Sequence, residues 1–422
     1  MDNETKPGLL ARLRAALLNR ATVPTKHPEK SRVHVASRTI SGIHVNPDNI
    51  LTSSVAWACC RFISESIAMM PWRAFRELPG GGAEIDKRHP VDQILYIRPN
   101  PELSTFQLKE TLIHQALRWG NSFCEIERDT VGRPFALHLL HPDRVQVLRD
   151  DNGVLFYRVS NGIGGTVDLD AMDVLHIRGF GDDVVGYSVA EYAAQSIGWA
   201  MAASLFGASF FGNGANVALI VKNKTALSPE ALAFQRSEFD QLYKGVNKSH
   251  RTAHVDNDTD VESVGTSPAD SQMVEANRFL VDEVSRWFGV PPHIANELSR
   301  STFSNIEHQS IEAVQRCLAP WVARLECEAD YKLFGINPRG YYSRLDMEET
   351  LRGDFKTRAE GFKIYREMGV ISADEIRDRI DMNPIGGIEG SMRTMNSTYA
   401  PLERIAGGTA QAAAPVPAQA TA

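Results

Sequence analysis

The feature that most constrains this chain is a long stretch without charge. Residues 192–221 contain no aspartate, glutamate, lysine or arginine, and such a stretch must leave water either in a membrane or inside a protein. Gln195, Ser204 and Asn213 interrupt it, and many of its apolar residues are alanine and glycine, which contribute little to membrane insertion. We therefore predict a helix buried against other helices, with small side chains that allow close approach, and no membrane span.

The overall composition indicates a folded and mildly acidic protein. Of the 422 residues 43% are hydrophobic, which is enough for a sizeable core. The 45 basic and 52 acidic residues give a net charge of −7. This charge argues against a protein whose main task is to grip nucleic acid, but it permits one that guides nucleic acid without holding it.

The cysteines predict neither a disulfide framework nor a zinc site. Cys59, Cys60, Cys124, Cys317 and Cys327 are odd in number and irregularly spaced, which is typical of reduced thiols in a cytosolic setting. Zinc sites use ligands in short paired spacings, and this chain has none. We expect no metal and no cofactor.

The N-terminal forty residues form a basic arm. Leu9, Leu13 and Leu17 share one helical face among arginines, and within residues 6–41 the only acidic residue is Glu29. The segment lacks the continuous apolar core of a secretory signal. It is either a mobile arm or an arm that docks on a partner or on nucleic acid.

Hydrophobic periodicity predicts an α+β fold with an antiparallel sheet. Apolar residues recur at helical spacing over 53–70, which Pro71 ends, and over 105–119, which Gly120 ends. Beyond Gly120 the period changes to two, and turn residues separate the segments. The predicted strands are residues 122–128, 135–140, 144–149, 154–159, 173–178 and, further along the chain, 341–346.

Two slender helices joined by a polar segment follow. One is predicted over 228–243 and the other over 268–288, and the polar residues 246–265 between them favour β structure. A hairpin of this kind cannot cover its own apolar surface, so we expect identical neighbours to cover it. The predicted apolar stripe of the second helix is Met273, Ala276, Leu280, Val284 and Trp287.

The C-terminal part predicts further helices. Residues 304–334 form a long helix that Pro320 should kink near Arg316, because proline lacks the N–H and clashes with the preceding turn. Residues 353–380 favour two short helices, the second capped by Ser372. Alanine, proline and glutamine dominate the tail, which is typical of disorder.

Motifs for metal binding and catalysis are incomplete. Residues 256–262 begin like a calcium loop, but the sixth position is Val261 instead of glycine and the twelfth is Ser267 instead of glutamate. Residues 245–249 end like a phosphate loop but lack its glycines. No constellation of side chains supports an enzyme.

The chain resembles the portal proteins of tailed double-stranded DNA bacteriophages, in the form common in long-tailed phages. The resemblance covers roughly residues 45–390, and its eight stretches are specific as an ordered set although none is specific alone. They are SSVAWACCRFISESIAMMPW (53–72), RPNPELSTFQLKETLIHQALRWGNSFCEIERD (98–129), GRPFALHLLHPDRVQV (132–147), DVLHIRGF (173–180), YSVAEYAAQSIGWAMAASLFGASFFGNGA (187–215), VSRWFGVPPHIAN (284–296), STFSNIEHQSIEAVQRCLAPWVARLE (301–326) and LRGDFKTRAEGFKIY (351–365).

The resemblance implies a homo-oligomeric ring, usually a dodecamer, at one capsid vertex. A motor containing the terminase large subunit pumps double-stranded DNA through its channel, and the finished ring then binds the head–tail adaptor. The major capsid protein or a scaffold surrounds it, and family portals carry no ATPase. The implied regions are a basic arm (1–40), an α/β wing (41–226 and 304–350, the latter with the long kinked helix), a two-helix stem (227–245 and 267–290), a small β-containing clip (246–266), a tunnel loop (291–303), a helical crown (351–395) and a disordered tail (396–422).

A translocation channel sets the expectation for DNA contacts. Tight binding to many phosphates would stall a moving duplex, so the resemblance implies sparse and mostly polar contacts from the tunnel loop. Arg300 is the best candidate for a transient phosphate contact, although each loop residue can also be merely solvated. The candidate channel residues are His293, Asn296, Glu297, Ser299 and Arg300.

The clip supplies the other candidates. Its flanking cations, which can touch DNA, touch a neighbouring subunit or simply be exposed, are Lys244, Lys248 and Arg251. Its acidic residues alternate along a predicted strand and form a candidate docking edge for terminase and adaptor, or a solvated edge. These acidic residues are Asp256, Asp258, Asp260 and Glu262. The tryptophans Trp57, Trp287 and Trp321 are predicted to be packing residues and not residues that stack on a ligand.

Two other classes of function stay open at this point. One is a different ring-forming capsid or connector component that has no DNA channel. The other is an enzyme, such as a nuclease or protease that uses histidine and aspartate from the clip.

Overall fold

The computed structural model describes ten segments of the chain, which divides into two compact units, residues 1–350 and 351–422. Residues 1–36 of the predicted basic arm and the predicted C-terminal tail lie outside the described segments. Those segments are residues 37–162, 164–212, 218–223, 227–243, 259–264, 270–295, 313–335, 340–347, 355–380 and 382–394.

The described strands belong to the first unit and pair antiparallel in small sheets, as predicted. They are β1 (Ser37–Arg38), β2 (His44–Val45), β3 (Trp72–Glu77), β4 (Ala83–Ile85), β5 (Asn121–Arg128), β6 (Pro134–Leu140), β7 (Val145–Arg149), β8 (Leu155–Ser160), β9 (Thr166–Asp170), β10 (Val174–Arg178), β11 (Ala218–Asn223), β12 (Thr259–Val264) and β13 (Tyr341–Leu345). The sheet orders are β10-β5-β6, β7-β8-β9, β13-β3-β4, β11-β12 and β1-β2.

The helices of both units include most of those predicted, and Gly387–Ser391 adds one that was not predicted. In the first unit they are α1 (Ser54–Met69), α2 (Thr105–Trp119), α3 (Val189–Tyr192), α4 (Ala194–Gly212), α5 (Pro229–Tyr243), α6 (Asp270–Phe288) and α7 (Ala319–Ala329), with a short turn at Pro90–Asp92 that continues as a π-helical turn over Gln93–Ile97. In the second unit they are α8 (Phe355–Glu367), α9 (Ala373–Arg379) and α10 (Gly387–Ser391).

Local hydrogen bonds explain these boundaries. Ser104 and Gln107 form a capping box at the start of α2, and Gly120 ends that helix with a φ of 76°. Helix α6 ends in a Schellman motif, in which the Val290 N–H donates to the Ser285 carbonyl over 3.0 Å. Capping residues and glycines therefore determine these helix ends through local hydrogen bonds.

The main core forms where α1 and α2 pack against each other beside the β10-β5-β6 sheet. Helices α6 and α7 contribute further buried residues to the same core. Ile63, Leu112, Leu175, Val284 and Leu325 are all completely buried there. This core positions the α4 and α6 surfaces described below.

The predicted kink before Pro320 takes the form of a π-helical stretch. Residues Ala313–Leu318 are π-helical, and Pro320 lies in the first turn of α7, where its missing N–H is tolerated. A second π-helical stretch, Asp330–Phe334, follows α7. The long helix of the prediction is therefore interrupted at both ends of α7 over its described part.

The α7 segment also protects a sheet edge. Strand β13 is an edge strand, and its outward N–H groups would otherwise be open to pairing with other chains. Asp330 accepts the Ser343 N–H over 2.6 Å, and Glu326 accepts the Leu345 N–H over 2.8 Å. Burial raises the pKa of Glu326.

The prediction for the uncharged stretch was right for its first part and wrong for its last residues. Helix α4 covers most of the stretch, but Ala218–Asn223 forms strand β11 and pairs with β12. The run of branched aliphatic residues there favours a strand over a helix. The expected close approach exists at Gly198, where a Cβ would lie 2.6 Å from the Thr39 side chain. Within the described segments no helix has the length and apolar character needed to cross a membrane.

Candidate subunit interface and channel elements

An exposed apolar surface runs along α4 and α6, and we call it the aromatic flank. This exposure corrects the expectation that the uncharged helix is buried, because only its first residues, including Ala194 and Ile197, are covered. Water therefore meets large apolar side chains that a single chain leaves half uncovered. The members of the flank, each between 43% and 59% exposed, are Trp199, Leu205, Phe206, Phe279 and Trp287.

Contacts between the two helices hold the flank in place. The rings of Trp199 and Phe279 lie 5.9 Å apart between centroids, at 47°. The Trp287 indole N–H donates to Ser196 Oγ over 3.2 Å, and this hydroxyl donates to the Glu283 carboxylate over 3.3 Å. Trp199, Phe279 and Trp287 are thus held in place, so a partner can meet them with little loss of side-chain freedom.

The three tryptophans that were predicted to be packing residues differ in exposure. Trp321 packs against the main core, and the Arg324 guanidinium lies 4.7 Å from its ring centroid. Trp57 is 53% exposed, and Trp287 belongs to the aromatic flank. The buried stripe of α6 continues from Val284 to Phe288, four residues further on. The predicted stripe instead continued from Val284 to Trp287, three residues further on.

His293 is the candidate channel residue that the structure describes. It lies in a short 3-10 helix, Pro292–Ala295, directly after α6. This turn contacts α1 and α6, and the neighbouring Ile294 packs against the main core. The start of the predicted tunnel loop is therefore anchored to the body of the first unit. The other candidate channel residues, Asn296, Glu297, Ser299 and Arg300, lie outside the described segments.

The clip candidates are described only in part, through strand β12. Asp260 and Glu262 lie in this strand, and its register places Asp260 opposite Lys222 and Glu262 opposite Ile220 of β11. The pairing of β12 with β11 was not predicted, because the partner strand belongs to the stretch assigned to a helix. The remaining clip candidates, Lys244, Lys248, Arg251, Asp256 and Asp258, lie outside the described segments.

A buried polar network that was not predicted lies beneath the loop leading to α3 and α4. Asn121 Oδ1 accepts the Gly186 N–H over 2.8 Å, and its Nδ2 donates to the Gly186 carbonyl over 3.0 Å. These bonds fix the amide, so the His176 Nε2, 3.0 Å from Oδ1, must donate. Its Nδ1 then accepts from the Tyr157 hydroxyl over 3.1 Å.

Burial sets the charge state of this network. Desolvation, with the nearby Lys332, lowers the pKa of His176 to about 3. Glu328 accepts the His176 backbone N–H over 3.2 Å, and burial raises its pKa. His176 is therefore neutral at physiological pH, in the single tautomer that the hydrogen bonds select.

Three glycines let the same loop cross the end of α2. The Gly179 N–H donates to the Gly120 carbonyl over 2.7 Å. A Cβ at Gly186 would overlap this carbonyl oxygen, and a Cβ at Gly120 would overlap the Tyr187 backbone. Only glycine permits this crossing, which sets the path of the chain into α4 and hence the position of the aromatic flank.

The described residues offer no assembly for metal binding. No group of three or more histidine, cysteine, aspartate or glutamate side chains converges within the described segments. Burial raises the pKa of Cys59 to about 11 and the pKa values of Cys60 and Cys317 to about 12. These thiols are protonated at neutral pH and are poor nucleophiles.

Known proteins match most of the chain. A family model described as phage portal protein matches residues 54–381. The probable portal protein of Streptomyces phage phiC31 is 30% identical over 368 residues, which are 82% of this chain and 78% of that protein. The portal protein of Enterobacteria phage HK97 is 26% identical over 410 residues, which are 95% of each chain.

Solved structures share the fold. A chain in the neck of a native gene transfer agent particle, computed with C12 symmetry, aligns with a TM-score of 0.56 at 21% identity. The alignment covers 89% of this chain and 100% of that one. An HK97 family phage portal protein from Corynebacterium diphtheriae aligns with a TM-score of 0.55 at 15% identity, over 73% of this chain and 98% of that one.

Proposed function

The chain belongs to the phage portal protein family, and from this premise we propose that identical copies close into a ring whose channel passes the genome. As a portal protein it is a structural component of the phage particle and lies at the portal vertex of the capsid. The ring is the point where packaging begins, where the tail is attached and where the genome leaves.

The aromatic flank is the observation that supports a ring best. Its five side chains are half exposed, contacts between α4 and α6 hold Trp199, Phe279 and Trp287, and a neighbouring copy would remove all five from water. Covering them would contribute roughly 5 kcal/mol per interface, at about 1 kcal/mol for each half-exposed side chain. A closed ring uses heterologous contacts, so the flank of one copy meets a different surface of the next.

The net charge suits a channel that must not hold its cargo. Twelve copies, the number implied by the C12 symmetry of the similar neck, would carry twelve times −7, or −84. Such a surface repels the duplex and avoids the tight, salt-dependent binding that neutralised phosphates produce. In this proposal the tunnel loop, including His293 and Arg300, supplies only sparse contacts to passing DNA.

The clip is the proposed docking site for partners. Asp260 and Glu262 occupy alternate positions of β12, and charged side chains at an interface set the choice of partner and the rate of association. We assign this edge to the terminase large subunit during packaging and then to the head–tail adaptor. The major capsid protein or scaffold would surround the wing.

Electron microscopy of the purified chain tests the ring. We expect class averages of a closed ring with a pore wide enough for duplex DNA. Phe279→Asp should prevent ring formation while far-UV circular dichroism stays unchanged, because it places a charge in the aromatic flank. Val131→Asp is the control, since Val131 is also exposed but lies in the turn between β5 and β6.

The images also separate the alternatives. A stable monomer under every condition would refute the proposal, whereas a ring with a pore too narrow for DNA would favour a connector component without a channel. We further propose that the chain is not an enzyme. Nuclease and protease assays with and without divalent metal should show no turnover.

A further inference from the structure

Two arginines lie close together where helix α7 passes the end of strand β10. The helix packs beside the strand, and their residues meet in antiparallel order. Glu328 of the helix accepts the His176 backbone N–H over 3.2 Å. One turn earlier on the helix, Arg324 interacts electrostatically with Arg178, the last residue of the strand. We call Arg178 and Arg324 the arginine pair.

Neighbouring groups hold the arginine pair in place. The Arg324 guanidinium lies 4.7 Å from the centroid of the Trp321 ring. This ring packs over Gly179, where a Cβ would lie 3.6 Å from Trp321 Cη2. Arg178 donates to the Asp183 carbonyl. Both guanidinium groups are therefore kept at the end of β10 although their charges repel each other.

The positive charge of the arginine pair is not balanced within the described segments. No carboxylate there forms an ion pair with either arginine. The nearby Glu328 accepts from His176 and lies 3.7 Å from the Lys332 ammonium group. Burial, together with the charge of Arg178, lowers the pKa of the half-buried Arg324. An acidic ligand at this place would supply the charge that is missing.

A row of aromatic residues joins the arginine pair to the aromatic flank. The Phe180 ring lies 5.9 Å from the Tyr187 ring between centroids, and the Tyr187 ring lies 4.7 Å from the ring of Tyr192, the last residue of α3. The packing of the first unit leaves 78% of Phe180 and 53% of Tyr192 exposed. Helix α4, which carries part of the flank, begins two residues after Tyr192. The arginine pair is therefore continuous with the surface assigned above to the subunit interface.

The chemistry of this surface favours a protein ligand over nucleic acid. Arginine, tyrosine and tryptophan are the residues that contribute most at protein interfaces. The planar guanidinium group binds a carboxylate through paired hydrogen bonds, whereas tight binding to DNA requires many neutralised phosphates. Each copy has 52 acidic and 45 basic residues, so an adjacent copy offers carboxylates in excess.

We propose that the arginine pair binds a carboxylate side chain of the neighbouring copy, and that Phe180 and Tyr192 pack against the residues around this carboxylate. This inference rests on the proposed ring function. The charged contact fixes the register between neighbouring copies, which apolar contacts alone specify less well. A heterologous interface permits it, because the acidic residue lies on a different surface from the arginine pair.

Zero-length cross-linking identifies the ligand. Rings are assembled from a mixture of isotope-labelled and unlabelled Arg324→Lys chains and are treated with a carbodiimide, which joins an amine to a carboxylate only where the two groups are in contact. We expect mass spectrometry to find the introduced amine joined to a carboxylate of another copy. Arg178→Lys is treated in the same way. Arg133→Lys is the matched control, because Arg133 pairs with Asp129 of its own copy at 2.9 Å and should give links within one chain only.

Removal of the charge tests what the contact contributes. Mass photometry measures the subunit concentration at which half of the rings dissociate. For Arg324→Gln this concentration should be at least about tenfold higher than for the wild type, while far-UV circular dichroism stays unchanged. For Arg133→Gln it should change by less than about twofold, because exposed ion pairs contribute little.

The outcomes also distinguish this proposal from the proposed function. If well-formed rings give links from the introduced amines only within one chain, or no links, the ring stands and the contact is wrong. Unchanged dissociation of Arg324→Gln rings together with weaker binding of a duplex DNA fragment would assign the arginine pair to nucleic acid instead. If the wild-type chain forms no rings at all, the proposed function fails and this inference fails with it.

Discussion

His176 should make the first unit sensitive to acid. The folded protein holds this imidazole neutral, with a pKa of about 3 against an ordinary value of 6.5, and desolvation is the largest cause. Stability from the neutral form is complete above pH 6.5 and is lost as the pH falls from 6.5 towards 3, because the unfolded chain takes up the proton first. Protonation would also abolish the acceptor that Tyr157 uses.

The size of the effect follows from the two pKa values. A pH of 4.5 lies two units below the ordinary pKa of the imidazole in the unfolded chain, but it still lies above the pKa of about 3 in the folded protein. At about 1.4 kcal/mol per pKa unit, His176 should lower the free energy of unfolding by roughly 2–3 kcal/mol between pH 7.5 and pH 4.5. Buried carboxyl groups with raised pKa values, such as Glu328, act in the opposite direction over the same range.

A difference between variants isolates the histidine from these carboxyl groups. Urea unfolding of the wild type and of His176→Gln is followed by circular dichroism from pH 7.5 to pH 4.5. The variant should be less stable by about 1–3 kcal/mol at pH 7.5, where it lacks the matched hydrogen bonds, and the gap should close as the pH falls. Parallel curves for the two proteins would refute the reasoning.

Three further variants test other parts of the structure. Gly186→Ala should lower the free energy of unfolding by roughly 1–3 kcal/mol or more, because its Cβ overlaps a backbone oxygen, whereas Gly80→Ala meets nothing within 4 Å and should change it by less than about 0.5 kcal/mol; urea unfolding decides. Reversing Asp260 and Glu262 to lysine should weaken terminase or adaptor binding by roughly tenfold or more while rings still form in electron micrographs; normal binding would remove the docking assignment. Arg300→Ala should impair DNA packaging and retention in a packaging assay, and an unchanged yield would contradict its proposed phosphate contact.

Local signals in the sequence were sufficient for most secondary structure. Ser104, Gly120, Gly289 and Ser372 act on backbone groups within a few residues of themselves, so their effects can be predicted without the fold. The strand segments likewise carry their own period of two. The ends of α1, α2, α5 and α6 and the six predicted strands were therefore confirmed to within about two residues, whereas β1 to β4 and β9 were not predicted.

Contacts between distant residues could not be predicted in this way. Asn121 forms hydrogen bonds with Gly186, 65 residues away in the sequence. No pattern in either segment indicates that the two residues are in contact. The glycines at 120, 179 and 186 are visible in the sequence, but their purpose appears only where the chain crosses itself. The pairing of β11 with β12 was missed because β11 belongs to the stretch that was predicted to be helical.

The expectations about burial were wrong in a consistent direction, and one physical cause explains them. The uncharged stretch of α4, together with Trp57 and Trp287, has the composition of an interior, and a single chain still leaves half of these side chains exposed. The composition of a segment reflects the surroundings of its residues in the functional assembly. The exposure calculated for one copy reflects only the contacts within that copy. Where the two disagree, a surface other than the described residues of one copy has to supply the cover. In the ring that we propose, the identical neighbour supplies this cover, and the Phe279→Asp variant tests whether the aromatic flank is the interface.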